Sequence, residues 1–428
     1  MGGQRMPRER LSPADASNVE IDAPDQVNAF LMAGVLGPGG AVGADGSVDV
    51  VALRARFAAR LSRAPRLSQR VAYAGRAPVW EDVPVDLAQH VRVLEPVDGV
   101  AGLASRCARL MVTPLATDRP LWELLLVPGV APGRVGIVLR LHHAMADGIA
   151  AVRLVETLLA ADADAAHQEP AATPAPTGPG SRARRPLGVR LRAVASGVAR
   201  TTALFRRAAP ASPLLGPIGP HRGVAFVDVG LEALAAGARS QGATINDALL
   251  AAVAAAVEAA LRERGAPVPP ALPVSVPVAL GERGRSGNAV GVMLVRLPTG
   301  EADAARRLRR IAELTRAGKA DARARGTFEL TRTRFGARLF ARLARHQRMI
   351  VAFVTNVPGP RHPLTVAGAP LERVWPVTPI QGNVRLGVSA LSYAGGLHVA
   401  VHADADAVAA DVVGAALDAE LRRIAALG

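Results

Sequence analysis

The stretch LRLHHAMADGIAAVRLVETLL, Leu139–Leu159, sets His142 and His143 side by side at the end of an apolar run, with Asp147 and Gly148 behind them. Upstream, LWELLLVPG (Leu121–Gly129) and GRVGIVLRLHH (Gly133–His143) read as two strands joined by a Pro/Gly turn. Beyond Gly148 the apolar residues switch to helical spacing. The pair therefore stands where a buried strand gives way to a loop and then a helix. Adjacent strand residues point to opposite faces, so one imidazole can face a cavity while the other points into packing or bonds to backbone. Histidine offers a base near neutral pH without perturbation, which is what deprotonating a hydroxyl needs. Blander readings stand beside this one. A metal site would need a third and fourth ligand; both rings could be satisfied core residues; Asp147 either orients an imidazole or caps the helix that follows.

Outward from this segment, Asp49–Leu67 has helical spacing through Leu53, Phe57 and Leu61, and the glycine run Gly37–Gly46 reads as a loop between a strand and that helix. Residues 167–186, rich in Pro, Ala and Gly, have no hydrophobic period and suit a linker. An amphipathic helix over Leu187–Ala208 and a Pro/Gly loop, SPLLGPIGPHRG, lead to a second half. There VAFVDV, NAVGVMLVRLP, FVTNVPGP and LHVAVHAD read as strands. LEALAAGARSQG, the Ala-rich segment after ATINDALL and the C-terminal segment read as helices. The expected organisation is one α/β domain over residues 1–165, a linker, basic helix and crossover loop over 166–222, and a second α/β domain over 223–428.

With 428 residues, half of them hydrophobic, the chain can bury two real cores. The lone Cys107 excludes an intramolecular disulfide and reads as a small buried hydrophobe. The opening residues carry no apolar signal region, and no run approaches the ~18 apolar residues of a membrane span; the longest, Ala248–Val257, stops at Glu258. A cytoplasmic protein is expected. The formal charge of +15 is almost all arginine, with Lys319 the single lysine. Nine arginines and no acid fall between Arg182 and Arg222, and six more between Arg332 and Arg348, so either segment could face phosphate. Nucleic acid is not the expected partner, because Phe205 is the only aromatic in the first block and single-strand binders interleave stacking rings. Nucleophile and nucleotide-loop motifs are absent.

HHAMADG fits the pattern H-H-x-x-x-D-G, and with its companions it resembles the bacterial wax ester synthase/acyl-CoA:diacylglycerol acyltransferase family. RPLWELLLVPG resembles that family's P-L-W segment, GATINDALLA its N-D segment, FVTNVPGPRHPLTVAGAPL its N-V-P-G-P segment, and SPLLGPIGPHRG its interdomain loop. Five segments in the right order span nearly the whole chain. The resemblance implies an α/β (α+β) fold of two CoA-dependent acyltransferase-like domains facing each other across a substrate tunnel. It also implies an acyl-CoA donor and a lipid alcohol acceptor, with no cofactor and no metal. It gives the base role to His143, with His142 beside it, and makes Asp147 a structural support of the motif that Gly148 closes. Trp122 reads as a packing anchor. Asn246 and Asp247 either start a helix or face the site, and Asn356 is either a turn residue or an amide donor to the oxyanion. Leu215 departs from the family pattern, which has Asn there, so the acceptor is less well specified than the reaction. The alternatives are the same chemistry on a non-lipid acceptor, or a non-catalytic lipid-surface protein.

The Leu187–Ala208 segment generates a test of membrane contact. Its Leu187, Leu191, Val194, Val198 and Phe205 line one side, with Arg190, Arg192, Arg200, Arg206 and Arg207 around them. Each arginine near an anionic surface contributes about 1 kcal/mol. Sedimentation with vesicles is expected to require anionic lipid, to weaken steeply with salt, and to drop when Arg200, Arg206 and Arg207 become Gln; salt-insensitive binding, or none, removes this helix from the membrane expectation.

Overall fold

The computed structural model describes residues 8–23, 25–75, 77–146, 154, 209–279, 290–325, 342–360 and 362–428. In the first half these form β1 (Arg8–Arg10), α1 (Pro13–Ile21), β2 (Ala29–Leu36), α2 (Val50–Arg60), β3 (Gln69–Ala74), β4 (Ala77–Asp82), α3 (Leu87–His90), β5 (Val91–Val93), α4 (Gly99–Leu110), β6 (Trp122–Ala131) and β7 (Arg134–His142). In the second half they form β8 (Arg222–Gly230), α5 (Leu231–Ser240), α6 (Ile245–Glu263), β9 (Ala271–Ala279), β10 (Val290–Pro298), α7 (Ala304–Arg325), β11 (Ala352–Pro358), β12 (Thr365–Val366), β13 (Ala369–Val377), β14 (Leu386–Tyr393), β15 (Gly396–Asp404) and α8 (Ala410–Ala425). The expected helix over 49–67 stops at Arg60, where two short 3-10 turns around Pro65 carry the chain into β3. Asp147 and Gly148, the linker to residue 208 and the basic helix lie outside the described residues.

Two six-stranded sheets carry the molecule. The second runs β10-β9-β11-β14-β15-β8, antiparallel except where β11 lies parallel to β9 and β14. The first runs β12-β13-β2-β7-β6-β5, and its first two strands come from the far end of the chain. β13 pairs antiparallel with β2, Trp375 opposite Ala33 and Val377 opposite Leu31. A sequence boundary at residue 223 assigns residues 365–377 to the second domain; the ladder instead places them in the first sheet. Residues 209–222, assigned to the linker, pack on the second half: Leu214 enters its core and Leu215 bridges Val384.

Burial explains the elements. All eight residues of β2 are buried, as are all those of β7 except Arg134, because both faces of this central hairpin partner are covered. The turn from β6 into β7 needs Gly133 at φ +65°, where a Cβ would lie 2.6 Å from the Ala44 carbonyl oxygen. α6 is apolar on nearly every side and sits inside the second core, which accounts for the run Ala248–Val257. Among the described residues no single helix is long and apolar enough to cross a membrane.

Between the sheets, Leu31, Ala33, Val35, Leu103, Cys107, Trp375 and Val377 meet Ala400, with Val224 and Phe226 packed against them. Burial pushes the Cys107 thiol up to about 12, so it stays protonated and inert. Trp375 of the first sheet stacks on Phe226 at 4.5 Å and donates Nε1–H to Asp228 Oδ1 of β8 at 2.7 Å. That carboxylate also meets His398 Nδ1 at 2.7 Å. Trp375→Phe keeps the stack and removes the donor. It is expected to lower stability by about 1–3 kcal/mol, the usual cost of losing a buried charge-assisted bond; an unchanged Tm would show that this tie does not hold the sheets together.

Candidate active site

β7 ends on the histidine pair. Leu139 and Leu141 point into the first core and His143 continues their side, with its ring against Phe30 at 4.9 Å and a 54° tilt. His142 turns the other way, as strand alternation requires. It is buried, and its Nδ1 accepts the Ala144 N–H at 3.0 Å. That bond leaves the proton on Nε2, which faces Asp22 Oδ2 at 3.4 Å. His142 is thus a strut held at Nδ1, with Nε2 turned towards Asp22.

His143 is held by its backbone instead. Its N–H donates to the Asn28 carbonyl at 3.0 Å, and its own carbonyl accepts Asn18 Nδ2–H at 3.2 Å. Neither ring nitrogen has a hydrogen-bond partner among the described residues. The residue is half-buried, and burial, followed by the neighbouring His142, lowers its pKa to about 4. The ring is therefore neutral at pH 7, with a lone pair that no described residue takes up.

A polar network supports this strand end, and the sequence alone had not pointed to it. Asp22 Oδ1 accepts the Asn28 N–H at 2.7 Å, Asn28 Nδ2 donates to the Asn18 carbonyl at 2.9 Å, and Gln381 Nε2 donates to Asn28 Oδ1 at 2.6 Å. The one available signal was a polar Asn28 directly before the apolar run AFLMAGVL. Trp122 is an anchor: buried, stacked on His90 at 4.3 Å, its Nε1–H donated to the Leu67 carbonyl.

The second-half candidates fall differently. The cap of α6 is Thr244 rather than Asn246, and Asp247 completes a capping box: Asp247 Oδ2 accepts the Thr244 N–H at 2.8 Å and its hydroxyl at 2.7 Å. Asp247 Oδ1 accepts the Thr315 hydroxyl at 2.6 Å, so this buried carboxylate is fully engaged in structure. Asn246, in the first helical turn, is half-buried and makes no side-chain hydrogen bond among the described residues. Asn356 lies inside β11 opposite Ala390 rather than in a turn, on the face it shares with Ala352 and Val354. None of the three hydrogen-bonds to the histidine pair. No group of three or more His, Cys, Asp or Glu is placed to hold a metal ion among the described residues.

The described residues thus form two sheets joined by an exchanged strand, with an imidazole at a strand end that has no partner among them. The model of the wax ester synthase/diacylglycerol acyltransferase catalytic domain matches residues 11–249, and that of the family's C-terminal domain matches residues 286–425. The chain belongs to the wax ester synthase/diacylglycerol acyltransferase family. Among its relatives, the protein named "Probable diacyglycerol O-acyltransferase tgs1" of Mycobacterium tuberculosis is 33% identical over 393 residues, covering 84% of both chains. The wax ester synthase/diacylglycerol acyltransferase from Marinobacter aquaeolei VT8 superposes with a TM-score of 0.71 at 23% identity, over 98% of this chain and 100% of that one. A trichothecene 15-O-acetyltransferase from Fusarium sporotrichioides shares the fold at a TM-score of 0.69 and 12% identity, over 100% of this chain and 97% of that one.

The lowered value for His143 has a pH consequence, shared by buried His402, which burial also lowers to about 4. Between pH 6.5 and 4 the unfolded chain takes up protons that the folded rings refuse, so stability falls as pH drops through that window. Thermal unfolding followed against pH is expected to show this loss, smaller by one proton's linkage in His143→Gln. An identical acid limb in that variant would show that the ring is not held neutral.

Proposed function

We propose that this chain is an acyl-CoA-dependent O-acyltransferase that moves a long-chain acyl group from CoA to a lipid alcohol, giving triacylglycerol from diacylglycerol or a wax ester from a fatty alcohol. The observation that carries the reading is the His143 imidazole: neutral, half-buried, fixed through its backbone, and with both ring nitrogens unpartnered among the described residues. Such a ring takes the hydroxyl proton as the alcohol oxygen attacks the thioester carbonyl. The negative charge developing on that carbonyl oxygen raises the affinity of the adjacent ring for the proton, so a base that is weak at rest becomes adequate during attack. Collapse of the tetrahedral species expels the CoA thiolate, and the imidazolium returns the proton to sulfur. No metal and no acyl-enzyme enter the scheme.

In this reading His142 is a positioning residue, locked between the Ala144 N–H and Asp22. Asp147 and Gly148 keep the supporting role that the motif gives them. Asn246 and Asn356, whose amides have no hydrogen-bond partner among the described residues, are the side-chain candidates for oxyanion donors, and Asp247 supports them by holding the start of α6. The substrates would meet in a tunnel between the two halves. The enzyme would be cytoplasmic, with peripheral contact to an anionic membrane or lipid-body surface, where such alcohols reside. A second reading, the same chemistry on a non-lipid alcohol, draws on Leu215, which departs from the family's Asn and lies against Val384, three residues from Gln381.

The test is acyl transfer by purified protein from labelled long-chain acyl-CoA to a panel of diacylglycerol, fatty alcohols and small polar alcohols. Ester is expected with the lipid acceptors, and His143→Ala is expected to lose about 10²–10⁴-fold in kcat with its Tm kept. A folded His143→Ala enzyme of full activity would overturn the mechanism, and ester formed only on the polar alcohols would favour the second reading.

A further inference from the structure

Among the described residues the ring of the proposed base makes no hydrogen bond, so its place depends on what holds its backbone, and that is chiefly Asn28. Every polar group of Asn28 is committed. Its carbonyl takes the His143 N–H at 3.0 Å, its N–H goes to Asp22 at 2.7 Å, and its Nδ2 goes to the Asn18 carbonyl at 2.9 Å. Asn18 in turn reaches the His143 carbonyl. The remaining group, Asn28 Oδ1, is closed by Gln381 Nε2 at 2.6 Å, from 353 positions further along the chain. Asn28 is buried, so without Gln381 that oxygen would lose its one recorded donor.

Gln381 stands on the segment that follows β13, and the same segment has its own attachment nearby. Gly382 N–H donates to Gln26 Oε1 at 2.8 Å, and Gln26 Nε2 donates back to the Gly382 carbonyl at 2.9 Å. Docking of the segment and control of Asn28 are therefore served by separate side chains, which lets the two be told apart.

We propose that Gln381 is a positioning residue for acyl transfer, holding Asn28 from the second half so that the His143 ring is kept at one distance and angle from the attacking hydroxyl. The proposal rests on the reading of His143 as base. Its physical basis is the steep dependence of proton transfer and attack on geometry: a misplacement of about 1 Å costs up to ~10²-fold in rate. Substrate binding is not at issue, so the effect belongs in kcat and not in KM.

The experiment compares Gln381→Met, of similar length but without the donor, with Gln26→Met, which removes the neighbouring attachment and leaves Gln381 in place. Gln381→Met is expected to lower kcat about 10–100-fold with KM for acyl-CoA within about twofold and Tm lowered no further than in Gln26→Met. Gln26→Met is expected to lower Tm with a much smaller effect on kcat. Equal losses of kcat in the two variants would assign the effect to loop docking and overturn the proposal, as would a Gln381→Met enzyme within twofold of wild type. If Gln381→Met fails to fold, Gln381→Asn, one methylene short, carries the same comparison. Should the wild-type chain transfer no acyl group, the functional reading fails, yet the positional claim remains readable in the imidazole nitrogen resonances of His143, assigned by their loss in His143→Gln. These move in Gln381→Met if the proposal holds and stay in place if Gln381 has no grip on the ring.

Discussion

The ladder between β13 and β2 is the contact on which the rest of this structure depends. It takes a strand from near residue 370 and sets it against one from near residue 30, opposite the histidine hairpin. Because β13 ends with Val377 beside Leu31, the following segment is delivered to the start of β2, where Gln26 and Asn28 wait. The same strand carries Trp375 to Asp228 and Phe226 of the second sheet. One exchanged strand thus sets the apolar interface between the halves and the polar clamp around the strand end. The histidine pair comes from one half and part of its support from the other, so this strand end is complete only when both have folded together.

The two histidines show how one short motif divides its labour by geometry. Their side chains leave the strand end in opposite directions, so they meet different surroundings. His142 is held at Nδ1, and its tautomer follows from the backbone N–H that this nitrogen accepts. His143 has its backbone tied and its ring without a partner among the described residues. Burial holds the pKa of that ring down. Asp22 faces His142 and not His143.

The fold by itself does not choose the acceptor. A wax ester synthase/diacylglycerol acyltransferase and a trichothecene 15-O-acetyltransferase both superpose on this chain over nearly its whole length. What is shared among them is the fold. Acceptor preference has to come from particular side chains, and this chain sets Leu215 against the segment that also carries Gln381.

Much was legible in the amino-acid sequence, wherever the signal was local. The β6–β7 hairpin, the histidine pair at its end, Trp122 as an anchor, the buried Ala-rich α6 and the strand at β15 all follow from periodicity, turn residues and adjacent motif positions, and each stands within a residue or two of its expected place. The helix cap was misplaced by two residues, because Asn246, Asp247 and Thr244 all suit that role and only the direction of their side chains separates them. β9 escaped notice because Pro273 and Pro277 interrupt its strand pattern. The sheet to which β13 belongs, and the cluster of Asp22, Asn28 and Gln381, left no trace in spacing at all. Hydrogen bonds between residues more than 350 positions apart have no period, and a strand's own pattern does not say which neighbour it will pair with. The sequence determined that a histidine pair stands at the end of a buried strand; the tertiary structure decided what holds it there, because that support exists only where distant backbone and side chains are brought within 3 Å of one another.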